Sequence, residues 1–130
     1  MGALLPASTL MSGCALTKHY SIPLVDGKID IPLSHFTDAK GKQIDSIIVQ
    51  NEQLKHPIFI HRLEGNQFNA LWMQCPHQGA ELQAFGDKLV CPAHGSEFDI
   101  HGKVLSPPAN ENLRQFKTIT NSSSLTIQLS

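Results

Sequence analysis

Cysteine is scarce in this sequence: three in 130 residues, too few for a disulfide framework. Cys75 and Cys91 each stand near a histidine at ligand-like spacing, which leaves Cys14 as the odd one and points toward a metal centre. Positive charge is equally short. Ten Lys and Arg against eleven Asp and Glu give a formal net charge of −1 and a pI near 6.6. Nucleic acid is thereby excluded as a partner, since phosphate binding demands a basic surface that displaces counterions. No run approaches the roughly 18–20 consecutive apolar residues that span a bilayer. Helical periodicity is nearly absent too. The 41% apolar content is ordinary for a globular chain, so neither disorder nor a membrane bundle is indicated. The length fits one domain; two would each be too small to bury a comfortable core.

What is present is a series of short strand-like runs punctuated by turn residues. From Cys14 to about Gly27 the sequence is polar and irregular, broken by Pro23 and the turn-forming pair Asp26-Gly27. Lys28 to Leu33 then alternates, with Ile29, Ile31 and Leu33 on one face. Residues 46–49, 58–61, 68–73 and 88–90 read as strands, as do 114–119 and 125–129. Glu64-Gly65-Asn66, Phe85-Gly86-Asp87 and Asp99 to Gly102 supply tight turns between them. Strands so closely spaced indicate an all-β sandwich or small barrel.

The N-terminal segment, residues 1–20, reads as part of an export signal or as a linker. Residues 3–11 are apolar or small and lead into Ser12-Gly13-Cys14. That order is like a bacterial lipobox, in which small residues precede a cysteine that becomes lipidated. The basic stretch that should open a secretory signal is missing, so the expectation is a signal truncated upstream of Met1. The plainer alternative is a frayed terminus with an exposed thiol.

Chemistry concentrates in Cys75-Pro76-His77-Gln78-Gly79 and Cys91-Pro92-Ala93-His94-Gly95-Ser96. Each offers one thiolate and one imidazole after a strand, so two converging loops can present four ligands. Soft sulfur with borderline nitrogen suits zinc or iron–sulfur and disfavours calcium or magnesium. Gly79 and Gly95 allow positive φ and close backbone approach, which a β-carbon would hinder. By ligand type alone a Cys2His2 zinc site is the favourite. The order argues otherwise, since zinc modules more often pair their cysteines and then their histidines. His19, His35, His56, His61 and His101 are assigned ordinary surface or packing roles.

Cys-x-His followed by Cys-x-x-His resembles the Rieske signature, in which two cysteines bind one iron and two histidines the other. Gly95 to Asp99, Gly102-Lys103-Val104, and Pro108-Ala109 with Leu113 are similar to further parts of that family. The resemblance spans about residues 28–129. It implies an all-β Rieske fold over residues 21–130, an antiparallel β sandwich with two ligand loops in a cluster-binding subdomain at about 70–112. It also implies a 2Fe–2S cofactor ligated by Cys75, His77, Cys91 and His94, with Pro107 and Pro108 covering the cluster. Three departures stand out. Only 13 residues separate His77 from Cys91. Ala80 and Ala93 replace the cysteine pair that staples the loops in respiratory members, so rigidity must come from packing and from Pro76, Pro92, Pro107 and Pro108. Phe98 replaces a tyrosine that donates to a ligand sulfur in high-potential members, while the other hydroxyl donor, Ser96, is kept.

The implied function is one-electron transfer between a redox donor and acceptor, with no catalysis by this chain alone. A small carrier or a redox subunit in the bacterial cell envelope is expected, periplasmic or on the outer face of the cytoplasmic membrane. Membrane attachment would be through Cys14, and the protein would be a monomer or a subunit of a complex. The alternatives are a cytoplasmic ferredoxin serving a separate Rieske oxygenase, and a structural zinc module. An oxygenase within this chain needs a second, mononuclear iron domain, for which no room is expected after Leu129.

Overall fold

The apolar runs at 46–50, 58–62 and 68–72 become neighbouring strands, and they organise everything else. The computed structural model describes residues 17–129. In chain order the strands are β1 (Lys18–Ser21), β2 (Lys28–Pro32), β3 (Ser46–Gln50), β4 (Ile58–Arg62), β5 (Phe68–Trp72) and β6 (Gln83–Phe85). They continue with β7 (Lys88–Val90), β8 (Glu97–Asp99), β9 (Val104–Ser106), β10 (Lys117–Thr120) and β11 (Ser124–Gln128). The only described helical element is a 3₁₀ turn at Leu33–Phe36. Three sheets form, ordered β1-β3-β4-β5, β10-β11-β2 and β6-β7-β8-β9. All pairings are antiparallel except β1 with β3.

The central sheet is covered on both faces, which is why β3 and β4 read as unbroken apolar runs instead of alternating. Successive strand residues point to opposite faces. Ile47, Ile60 and Ala70 lie side by side in register and join one core with Ile29, Ile31, Leu125 and Ile127 from the β10-β11-β2 sheet. Their neighbours Ile48, Phe59 and Leu71 are also in register but face a second core. That core holds Met73, Cys75, Leu82, Leu89, Cys91 and Phe98. The base of the molecule is thus one core, and the two cysteines belong to the other. β2 shows the contrasting case. Ile29 and Ile31 are fully buried while Lys28, Asp30 and Pro32 are exposed, and the pattern alternates because only one face is covered.

The stretch expected to be irregular up to Gly27 contains β1, which runs parallel to β3 from Lys18↔Ile47 to Ser21↔Gln50. Its sequence, Lys-His-Tyr-Ser, has three exposed residues of four, so backbone pairing at a sheet edge holds it without an apolar signature. β8 and β9 were likewise not foreseen as strands. At three residues each they are too short to display a period. The expected strand at 114–119 begins three residues later, at Lys117; Arg114 to Phe116 instead line the edge of β5 through single bonds, Trp72 N–H to Arg114 O and Phe116 N–H to Ala70 O.

Candidate metal centre

Two short loops at the end of the second core repeat one backbone plan. Cys75 N–H donates to Ala80 O at 2.8 Å, and Gly79 N–H donates back to Cys75 O at 2.7 Å. In the second loop Cys91 N–H donates to Ser96 O at 2.8 Å, and Gly95 N–H to Cys91 O at 2.9 Å. Each loop therefore opens on Cys-Pro and closes through a glycine four residues on. Gly79 (φ 78°) and Gly95 (φ 83°) both occupy the left-handed region, where a β-carbon is penalised. The positive φ alone requires glycine at Gly95, because a β-carbon there would meet nothing within 4 Å.

This plan separates the two donor types. Cys75 and Cys91 are 1% exposed and pack with Met73, Leu82 and Leu89. Both thiols are free. His77 and His94 are exposed, and their rings face each other edge to face with centroids 5.9 Å apart. Among the described residues no three His, Cys, Asp or Glu side chains gather closely enough to hold one metal ion. A single tetrahedral zinc needs all its donors within about 2.0–2.3 Å of one point. A two-iron cluster instead takes a thiolate pair on one iron and an imidazole pair on the other, and the buried-sulfur, exposed-nitrogen division fits it.

Ser96 adds a second fit. It is the one fully buried polar side chain among the described residues. Its Oγ accepts the Ala109 N–H at 3.0 Å, which leaves the hydroxyl proton for an acceptor in the centre. The same bond ties the Pro107–Pro108 loop to the second ligand loop; both prolines are exposed while Ala109 is buried. Phe98 is completely buried between Leu89 on β7 and Val104 on β9, and brings no polar atom. Cys14 lies outside the described residues.

The other histidines are occupied elsewhere. His35 stacks on Tyr20, His56 pairs with Glu81 at 3.2 Å, and His101 meets Asn69. His61 meets Ser46 Oγ at 2.6 Å, and burial pushes its imidazole below the ordinary range. His19 reaches only Gln50, at 3.5 Å. Sequence reasoning missed Trp72 and Gln74, whose side chains are bonded to one another beside Cys75. Their spacing of two on a strand, which places both on one face, was the available signal.

Comparison with known proteins agrees with this geometry. The family model described as the Rieske [2Fe-2S] domain matches residues 34–117, more than half of the chain. No curated protein matches the sequence. Among solved structures, the cyanobacterial plasma membrane Rieske protein PetC3 from Synechocystis PCC 6803 is 25% identical with a TM-score of 0.54. That match covers 65% of this chain and 86% of that one. The ferredoxin of carbazole 1,9a-dioxygenase from Nocardioides aromaticivorans IC177 shares the fold at 15% identity and a TM-score of 0.53, over 81% of this chain and 100% of that one. The quaternary ammonium Rieske monooxygenase CntA shares it at 17% identity and a TM-score of 0.58, over 88% of this chain but 32% of its own. With the family model, the all-β fold and two thiol–imidazole loops in agreement, the chain belongs to the Rieske family of electron-transfer proteins, whose cofactor is a 2Fe–2S cluster.

Proposed function

We propose that Cys75 and Cys91 ligate one iron of the cluster and His77 and His94 the other, and that the protein is a small one-electron carrier or redox subunit. The observation that carries this reading is the division of the two loops into a buried thiol pair and an exposed imidazole pair. When bound, the cluster supplies a one-electron couple within about −150 to +300 mV. The protein's own residues set the rest. Burial of the thiols keeps water from the sulfur side. The exposed rings of His77 and His94 would form the edge through which an electron passes. The Ser96 hydroxyl would favour the more negative, reduced state and raise the potential.

A cell-envelope setting is supported by the lipobox-like Ser12-Gly13-Cys14 and by the similarity to a plasma membrane Rieske protein. Among the described residues no helix is long and apolar enough to cross a membrane, so attachment in this reading rests on Cys14. A second reading, a ferredoxin serving a separate oxygenase, is favoured by the match to the full length of a dioxygenase ferredoxin. Elemental analysis tests the ligand assignment. Iron and sulfide near two each per chain are expected, with a red-brown visible spectrum. Cys75→Ser or Cys91→Ser should abolish the cluster, whereas His77→Cys or His94→Cys should retain one of lower potential. Stoichiometric zinc in the wild-type protein would overturn the assignment.

A further inference from the structure

The first ligand loop has no stapling disulfide, since Ala80 and Ala93 fill the positions where one would stand. A brace of another kind lies beneath it. Trp72 Nε1–H donates to Gln74 Oε1 at 2.8 Å. The indole is clamped in turn, edge-on to Phe116 at 5.7 Å and to His56 at 5.5 Å, and His56 pairs with Glu81 just past the loop. Gln74 and Glu81 form an isolated β-bridge that closes the neck of the loop.

The indole N–H can only donate, so it fixes which end of the Gln74 amide faces it. The oxygen must turn toward Trp72, and the NH2 group must turn the other way. That group lies against the turn of the loop: a β-carbon on Gly79 would stand 3.4 Å from Gln74 Nε2. The donor end of the amide therefore lies beside Gly79, in the segment Cys75–Gly79 that carries one thiol and one imidazole of the centre.

We propose that Gln74 is a positioning residue for the first ligand loop, locked in one amide orientation by Trp72, and that its NH2 end biases the centre toward the reduced state. The inference rests on the assignment of Cys75 and His77 as ligands. The amide holds the loop where a covalent staple is lacking, and its positive end lies on the side where charge becomes more negative on reduction. A glutamate here would keep the bond to the indole but turn a carboxylate oxygen toward the loop.

The test uses cluster-loaded protein and reads the midpoint potential at fixed pH, with iron content and the visible spectrum as controls. Gln74→Met, of similar volume but with no donor, should shift the reduction equilibrium about tenfold toward the oxidised form, ~59 mV lower for one electron. Gln74→Glu should lower it further. Trp72→Phe, which frees the amide to flip, should fall between Gln74→Met and the wild type. Loss of the cluster from Gln74→Met with β-sheet circular dichroism intact would support the brace as well. If Gln74→Met does not fold, Gln74→Glu carries the test, because it preserves side-chain length and the indole bond. Unchanged potentials in the folded variants, or a rise for Gln74→Glu, would overturn the proposal. A Cys75→Ser variant measured in parallel keeps the two ideas apart. Cluster retention there would sink the ligand assignment whatever the Gln74 variants do.

Discussion

Ser96 and Phe98 stand two residues apart on one loop and strand, both fully buried, yet only one carries a hydroxyl. Ser96→Ala should have two separable effects. It removes a donor that favours the reduced state, so the midpoint potential should fall. It also strips the acceptor from the buried Ala109 N–H, which should cost about 1–3 kcal/mol of stability. Phe98→Tyr should raise the potential provided its new hydroxyl reaches a cysteine sulfur, as the resemblance to the family implies. A hydrogen bond to a charged acceptor contributes about 1.5–3 kcal/mol. Only the difference between redox states is read, so several tens of millivolts is the expected size, against ~59 mV per tenfold. Voltammetry at fixed pH decides: shifts of opposite sign with intact spectra establish tuning, and a fall for Phe98→Tyr would count against it. Ser96 was singled out from the residues after His94, but its burial was not legible there. Nor was its bond to Ala109, because a contact between residues 13 apart, across the β8–β9 hairpin, leaves no local pattern. The Trp72–Gln74 brace was nearer to legible, since both residues share a strand face, but an indole reads first as core packing.

Two turns in this fold repeat the same element. In Asp38–Lys42 and Asp99–Lys103 the aspartate Oδ1 accepts N–H groups two and four residues ahead. The glycine N–H returns to the aspartate carbonyl, and the backbone of the first residue pairs with that of the last. Gly41 and Gly102 have nearly equal φ, 82° and 81°. They differ in what surrounds them. A β-carbon on Gly41 would meet nothing within 4 Å, whereas one on Gly102 would stand 2.9 Å from Leu71 Cδ2 in the second core. Gly41→Ala therefore isolates backbone strain, about 1–2 kcal/mol. Gly102→Ala should add overpacking of about 1–3 kcal/mol more. Equilibrium urea unfolding of both cluster-loaded variants measures the difference, and equal losses would mean that Leu71 yields freely. The turn at 99–102 was visible from its Asp and Gly. The strands flanking it, β8 and β9, were not, because three residues cannot show alternation and their pairing is set by the hairpin around them.

At the scale of the whole molecule, strand direction relates the N-terminus to the redox centre. β5 runs toward the first ligand loop, and β4 is antiparallel to it. β3 is antiparallel to β4 and β1 parallel to β3, so β1 also runs toward that end. Lys18 enters level with Ile47, Ile60 and Ala70, five residues short of Cys75 on β5 and its continuation. The sequence showed a sandwich and the approximate base strands. It could not show this polarity, because a parallel edge strand of Lys-His-Tyr-Ser carries no apolar period. If Cys14 bears a lipid, only residues 15–17 separate it from β1, and Thr17 and His19 line a cleft with Met73 and with Glu81 to Phe85. Each acyl CH2 buried in the bilayer contributes about 0.8 kcal/mol, so several chains would hold the protein firmly. The protein expressed in its native host should therefore sediment with membranes, and its Cys14→Ser counterpart should remain in the supernatant. Equal partitioning of the two forms would count against lipidation and favour the ferredoxin reading.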